Sequence, residues 1–182
     1  MKNKNFKLLL TSNSIAYFAF QLIGPFMAIF LNQIGGGIEN LGMLYGVSLL
    51  FNSVASFYVG KFSDKIGRKP FLVISSILSS VFILGYLYVK NLSQLYVLQA
   101  VYGINNAAWS ISEQAFLADI TKKRTRGKMI GIYNLILGIL MSIGLMIGGM
   151  LIGKFGFKII FYSVSILNLI SVIFLVMINE KK

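Results

Sequence analysis

Two places in this sequence hold residues whose types and spacing could do chemistry. The turn 60–70 carries a carboxylate, Asp64, among four bases and lies between two long apolar segments. Glu113, in contrast, is a carboxylate inside an apolar segment. The chain has no His and no Cys, which removes imidazole bases, thiolates and most zinc ligands. We therefore expect neither an enzyme nor a metal site nor a bound cofactor.

The elements that position these residues are predicted to be membrane-spanning helices. Of 182 residues, 57% are hydrophobic and 12% are charged, whereas an average soluble domain has about 25% charged residues. Six apolar segments each reach the roughly 20 residues that a helix needs to cross a bilayer, and their continuous pattern favours helices over a barrel. The segments are 8–33, 41–60, 70–89, 92–118, 129–153 and 157–178. We predict one all-α, six-helix domain over residues 1–182, embedded in the lipid bilayer.

The bases are distributed unevenly among the loops that join these segments. All but three of the 17 Lys and Arg lie before the first segment, after the second, after the fourth or after the sixth. The three exceptions are Lys90, Lys154 and Lys158. By the positive-inside rule this distribution predicts a multi-pass protein of the cell membrane with both termini in the cytoplasm. Topology and anionic lipid thus account for the net charge of +12, and no nucleic-acid partner is expected.

The turn 60–70 resembles the signature between the second and third helices of the major facilitator superfamily of secondary transporters. The matching positions are Gly60, Asp64, Lys65, Gly67, Arg68 and Lys69. A second match, Asp119 followed by Arg126-Gly127, resembles the superfamily's pattern between helices four and five. The resemblance implies the amino-terminal six-helix half of that fold, built as two inverted three-helix repeats. It also implies transport of a small-molecule substrate by alternating access.

Two interpretations of the turn remain open. Asp64 could pair with Arg68, and the resemblance implies that such pairs latch the two halves of a transporter in the outward-facing state. Asp119 and Arg126 are the expected further partners of this latch. Alternatively, the bases of the turn serve only the positive-inside rule. Topology does not require an acid among these bases, which favours the latch for Asp64 and Arg68.

Polar residues recur along one face of the fourth segment at intervals of three or four residues. They are Gln99, Tyr102, Asn106, Trp109 or Ser110, and Glu113. The first segment has a similar face, formed by Asn13, Tyr17 and Gln21. Because lipid offers such groups no partners, both faces should look into the bundle or into a water-filled cavity, and the resemblance implies that this cavity binds the solute. Hydrogen bonding between helices is the alternative for these polar groups. The aromatic residues on these faces could bind a flat or cationic solute, but packing is the expected use of most of them.

Glu113 has two possible roles in this arrangement. A carboxyl group that is shielded from water can exchange a proton with the cavity, as proton-coupled transport requires. Alternatively, Glu113 is a structural residue that is hydrogen-bonded to Asn134 or to the bases after the fourth segment. Proton-coupled efflux is our preferred mode of transport. The competing function is that of a non-transporting remnant or an assembly partner in a membrane complex.

The fifth segment carries a glycine pattern that lets helices pack closely, at Gly144, Gly148 and Gly149. It resembles the glycine pattern of drug–proton antiporters in the superfamily, without the proline of that pattern. The superfamily usually has twelve helices, so six correspond to one half. Three explanations are open: a fragment, one half of a split transporter, or a homodimer that forms a twelve-helix assembly.

Overall fold

The computed structural model describes residues 2–180 and the side chains from Lys4 onward. Its helices are α1 (Lys2–Gln21), α2 (Met27–Gln33), α3 (Ile38–Ile66), α4 (Lys69–Gly85), α5 (Leu92–Ile120) and α6 (Arg126–Val176). Single 3₁₀ turns precede α2, follow α4 and precede α6. No strand occurs in the described range, which confirms the predicted all-helical class. Lys181 and Lys182, which were counted for the cytoplasmic side, lie outside the described residues.

Four stretches of the described chain are long and apolar enough to cross a membrane. They are Lys4–Gln33, Ile38–Ile66, Lys69–Tyr88 and Lys123–Val176. The protein is therefore an integral membrane protein, but the six predicted crossings go beyond these four. The fourth predicted segment, now α5, is absent from this set because polar side chains such as Gln99 and Glu113 lower its hydropathy. The fifth and sixth predicted segments both fall within the last stretch.

Helix α6 is broken at Gly156. A straight helix of its 51 residues would be about 75 Å long, more than twice the roughly 30 Å of a hydrocarbon core. At Gly156 the backbone has φ 72° and ψ 172°, a left-handed φ that glycine adopts at little cost. The break divides α6 into a first part, 126–155, and a second part, 157–176.

The two parts of α6 run in opposite directions on either side of α1. Ser12 donates to the carbonyl oxygen of Ser171 at 2.9 Å, and Asn5 to that of Asn179 at 2.8 Å. Because one residue number rises as the other falls, α1 is antiparallel to the second part. Where α1 contacts the first part of α6, the residue numbers of the two helices increase together. These two helices are therefore parallel.

The parallel contact between α1 and the first part of α6 depends on glycine. A Cβ atom would lie 2.6 Å from the backbone of Phe18 if added to Gly144, 2.8 Å from that of Leu22 if added to Gly148, and 3.1 Å from the ring of Phe26 if added to Gly149. Separations under 3.0 Å require the neighbouring atoms to move, and at Gly144 and Gly148 these neighbours are backbone. The glycines therefore set the distance between the two helices.

Helix α3 packs on α5 through a similar contact, for which the sequence carried no recognised signal. A Cβ atom on Gly103 would lie 2.2 Å from the carbonyl oxygen of Ser48, and Asn52 donates to the carbonyl of Gly103 at 3.3 Å. Helix α4 lies between α5 and the second part of α6. Asn105 of α5 donates to the hydroxyl of Ser79 on α4 at 2.8 Å.

Two apolar clusters stabilise opposite ends of this bundle. One is aromatic, with Phe30 in contact with Tyr86, Phe157 and Phe161 at ring-centroid distances of 5.4–5.8 Å. The other, which includes Leu72, lies at the end where the basic segments meet. Tyr133 belongs to this second cluster, and Tyr17 and Trp109 pack against it.

Candidate functional site

Glu113 lies where α1, α5 and the first part of α6 meet, and it is only 7% exposed. Its Oε1 atom accepts hydrogen bonds from Asn13 Nδ2 at 2.6 Å and from the Tyr133 hydroxyl. Its Oε2 atom accepts a hydrogen bond from the Tyr17 hydroxyl at 2.8 Å. Asn13 Nδ2 also donates to the Tyr133 hydroxyl. We call these four residues the glutamate cluster; within the described chain no ion pair reaches Glu113, so neutral donors alone satisfy the carboxylate.

The partner on α6 differs from the predicted one. Asn134 lines a cavity beside Glu113, but the hydrogen bond comes from its neighbour Tyr133. Consecutive residues of a helix point about 100° apart, so only the rotation of α6 against α5 decides which of the two reaches Glu113. The sequence could have indicated Tyr133 as well as Asn134, because the two are adjacent polar residues within an apolar segment.

A cavity of about 290 Å³ opens beside the glutamate cluster, between α1, α4, α5 and α6. Four aromatic side chains line this aromatic cavity: Tyr17, Phe20, Tyr102 and Trp109. Gln21, Asn106 and Ser110 line it too, so the cavity contains most of the two predicted polar faces. Among the described residues that line it, none is charged.

Gln99 and Asn13 were predicted to face the same cavity, and neither lines it, although Gln99 lines a smaller neighbouring cavity together with Phe20 and Tyr102. Gln99 is buried and donates to the hydroxyl of Tyr86 at 2.8 Å, because it lies one turn nearer the end of α4 than Tyr102 does. Asn13 is fully buried beneath Tyr17, with its amide nitrogen bound to Glu113. Both therefore join helices, as the structural alternative for these faces expected.

Two polar side chains in the wall of the aromatic cavity lack hydrogen-bond partners among the described residues. Ser76 Oγ on α4 and Asn168 Nδ2 on the second part of α6 are buried and unpaired. Buried polar atoms usually have a protein or water partner, and these two could bind a polar group of a solute only if the wall moved to expose them. Neither residue was predicted, because they lie on the third and sixth segments, whose polar residues were not aligned with the faces of the first and fourth.

A second cavity of about 690 Å³ lies on the other side of the glutamate cluster, between α5 and the first part of α6. Glu113, Gln114, Tyr133 and Asn134 line it, and we call it the glutamate cavity. Tyr17 also lines it and is thus shared with the aromatic cavity. The Tyr17 side chain therefore lies between the two cavities.

The turn 60–70 forms a separate cluster at the basic end of the bundle. The guanidinium of Arg68 lies 2.5 Å from the carboxylate of Asp64 and 3.7 Å from that of Asp119. We call these three residues the latch cluster. Arg126 does not join it; its guanidinium donates to the carbonyl of Ala118 at 2.8 Å and so closes the end of α5.

The other residues of the turn have different surroundings. Lys69 donates to the carbonyl of Val176 at 2.7 Å, while Lys65 is exposed. Gly67 ends α3 with φ 110°, in the region that favours glycine. A Cβ atom on Gly60 would meet no described atom within 4 Å, so no helix of the described chain packs closely on this glycine.

Glu180 is a member of this region that was not predicted. Its carboxylate accepts hydrogen bonds from the backbone N–H groups of Arg68 at 2.7 Å and Lys69 at 3.0 Å. It therefore caps the N-terminus of α4 from a distant part of the chain, where a negative charge is stabilising. The sequence could have indicated Glu180 in the same way as Asp64, because each is an acid next to bases and topology does not require an acid there.

A helical membrane bundle with a polar, partly aromatic cavity is the architecture of a membrane transport protein. Residues 9–182 match the Major Facilitator Superfamily, and the chain belongs to this superfamily, as the turn 60–70 predicted. Members of the superfamily are transporters rather than enzymes.

Three relatives place the chain within the superfamily. The MFS-type transporter YitZ of Bacillus subtilis is 30% identical over 155 residues, which cover 85% of this chain and 94% of YitZ. The MFS-type transporter MJ1560 of Methanocaldococcus jannaschii is 30% identical over 83% of this chain and 39% of its own length. The multi-drug resistance efflux pump PmrA of Streptococcus pneumoniae is 30% identical over 92% of this chain and 42% of its own length. The chain thus spans nearly all of one relative and about two fifths of the other two.

Proposed function

We propose that this chain is the amino-terminal six-helix half of a transporter that exports a small solute across the cell membrane by alternating access. Glu113 exchanges a proton during that cycle. The observation that carries this proposal is a buried carboxylate, held only by neutral donors, that lines the glutamate cavity and is hydrogen-bonded to Tyr17, which lines both cavities. Intramembrane carboxylates in such positions mark substrate or proton pathways.

Six crossings in two inverted repeats are supported by the pairing of the helices. Helix α3 of the first repeat packs on α5 of the second at Gly103, and the first part of α6, in the second repeat, packs on α1 of the first at Gly144 and Gly148. Exchanging the repeats converts one contact into the other, as expected for inverted repeats. The break at Gly156 supports a separate fifth and sixth crossing.

A cytoplasmic position for the basic end is supported by the contacts that gather it. The start of α1 bonds to Asn179, the start of α4 to Glu180, and Asp119 approaches Arg68. Most bases of the chain therefore lie at one end, as the positive-inside rule requires of the cytoplasmic side. Both termini are proposed to lie on that side.

The hydrogen bonding of Glu113 in the glutamate cluster supports proton coupling. An ionised carboxylate without a cation is tolerated there by hydrogen bonding alone, and a neutral acid avoids the cost of burying a charge. Both the ionised and the neutral form of Glu113 are therefore accessible. Each form can be favoured when one of the two cavities is open to water. Export is supported by PmrA, which is named as a multi-drug resistance efflux pump.

A second six-helix unit, either another half or a second copy of this chain, completes the solute pathway. The glutamate cavity is open on the side away from α1, where a Cβ atom added to Gly131 or Gly138 would meet no described atom within 4 Å. The latch cluster would hold the two units together in the outward-facing state, through charge pairs that break and re-form.

The test is proton-driven movement of ethidium, used as a probe, in inverted membrane vesicles from cells that express the chain. We expect movement above that of vesicles without the chain, abolished in Glu113→Gln and retained in Glu39→Gln, where an exposed acid at the start of α3 is changed. Movement that persists in Glu113→Gln would remove the proton role. No movement of ethidium or of the uncharged aromatic probe acridone, either with the chain alone or with the chain co-expressed with a partner half, would overturn the transport proposal.

A further inference from the structure

The three donors on Glu113 differ in what else they touch. Asn13 and Tyr133 are 0% and 3% exposed, and neither lines the aromatic cavity. Tyr17 is only partly buried, and its side chain lines the aromatic cavity and the glutamate cavity. Of the three donors, Tyr17 alone is in contact with the space that a solute would fill.

The donors also differ in how they can respond to a proton on Glu113. An ionised carboxylate accepts all three hydrogen bonds, but a neutral carboxyl group brings its own hydrogen into a ring of donors. The unpaired oxygen of Asn13 could accept that hydrogen only if the amide turned and lost its hydrogen bond to the Tyr133 hydroxyl, so Asn13 and Tyr133 can respond only together. The Tyr17 hydroxyl accepts no hydrogen bond from the other two donors, so it can turn to accept one from the acid or move away.

The walls of the aromatic cavity define the class of solute that would disturb Tyr17. Phe20 and Tyr102 lie 6.3 Å apart between ring centroids, and together with Trp109 they offer flat apolar surfaces. Among the described lining residues no Lys or Arg is present to bind an anion, whereas aromatic faces attract cations. A flat aromatic solute, uncharged or cationic, fits these walls.

We propose that Tyr17 couples solute binding to the protonation state of Glu113, because a flat aromatic solute in the aromatic cavity displaces the Tyr17 ring and breaks its hydrogen bond to Glu113. This inference rests on the proposed proton role of Glu113. It states that the hydroxyl group of Tyr17 links that proton to the bound solute. By linkage, a solute that changes the proton occupancy of Glu113 has an affinity that changes with pH. Removing the Tyr17 hydroxyl should leave the cavity in place and remove most of that pH dependence.

The experiment uses Trp109, the single Trp of the chain, as the reporter of binding. Quenching of its fluorescence by ethidium and by acridone is titrated across the pH range on the purified chain in detergent. We expect the wild-type dissociation constant for at least one probe to change about 5- to 10-fold with pH. In Tyr17→Phe the change should fall below about twofold, with the affinity at the most favourable pH kept within about threefold.

Tyr102→Phe is the matched control, because it removes a hydroxyl group from the same cavity at a residue that does not bond to Glu113. It should keep the pH dependence, whatever it does to affinity, and Glu113→Gln should abolish it. A full pH dependence in Tyr17→Phe, together with its loss in Glu113→Gln, would overturn the role of Tyr17 and leave the proton role intact. A full pH dependence in Glu113→Gln would instead contradict the proton role itself. Failure of both probes to quench Trp109 would overturn the assigned solute class.

Discussion

The glutamate cluster and the latch cluster lie at two levels of the same bundle, and they stabilise carboxylates by different means. Glu113 is 7% exposed and is held by three neutral donors. The side chains of Asp64 and Asp119 are 69% and 62% exposed and share one arginine. A buried carboxylate without a cation can change its protonation, whereas an exposed ion pair can change its partner at little cost. The two clusters therefore suit different steps of one transport cycle.

The largest expected effect on stability comes from the glutamate cluster. Asn13→Leu removes the amide that binds both Glu113 and Tyr133, leaving a buried carboxylate oxygen with one fewer donor. Lost hydrogen bonds to charged groups cost about 1.5–3 kcal/mol, and we expect a loss of that size in the unfolding free energy in detergent. Asn106→Leu, which changes an exposed amide in the aromatic cavity, should cost much less.

A double variant sharpens this prediction. If Asn13 acts through the charge of Glu113, Asn13→Leu should cost clearly less in a Glu113→Gln background, by about 0.5–3 kcal/mol of coupling. An equal loss of unfolding free energy in the two backgrounds would mean that Asn13 stabilises the bundle by packing. That result would contradict the difference proposed between the two clusters.

An intermediate effect is expected at the cap that joins the end of the described chain to the turn 60–70. Glu180→Ala removes both hydrogen bonds to the N-terminus of α4, and the loss of such a cap costs about 1 kcal/mol. Glu180→Gln keeps an acceptor without the charge and should fall between wild type and Glu180→Ala. The order of the three unfolding temperatures checks this, and a wild-type value for Glu180→Ala would contradict it.

The smallest effect on stability is expected in the latch cluster. Asp64→Asn breaks an exposed pair with Arg68, and such pairs contribute about 0–1 kcal/mol. Unfolding should therefore change little, and any change should diminish at high salt. The solute-movement rate in vesicles should change instead, since we propose that the latch acts between conformations. A large loss of stability with unchanged movement would reverse the roles assigned to the two clusters.

The sequence predicted what depends on local spacing. The all-helical class follows from continuous apolar runs, and the approach of Asp64 to Arg68 follows from a separation of four residues at the end of a helix. It placed Tyr17, Tyr102 and Trp109 on faces that meet at one cavity. These are properties of single helices, which are determined by periodicity.

What the sequence could not predict depends on how the helices are rotated and on contacts between distant residues. Tyr133 rather than Asn134 reaches Glu113, and Gln99 turns to Tyr86 instead of the cavity. Glu180 caps a helix that begins 111 residues earlier in the chain. Periodicity gives the face of a helix but not the neighbour that this face meets.

We infer that the carboxyl group of Glu113 changes its protonation state during the transport cycle. Infrared difference spectra of the purified chain between acidic and neutral pH measure this directly, through the C=O band of a buried protonated carboxyl group. We predict a band that is present in wild type, absent in Glu113→Gln and retained in Asp64→Asn. A band that survives in Glu113→Gln would contradict the claim.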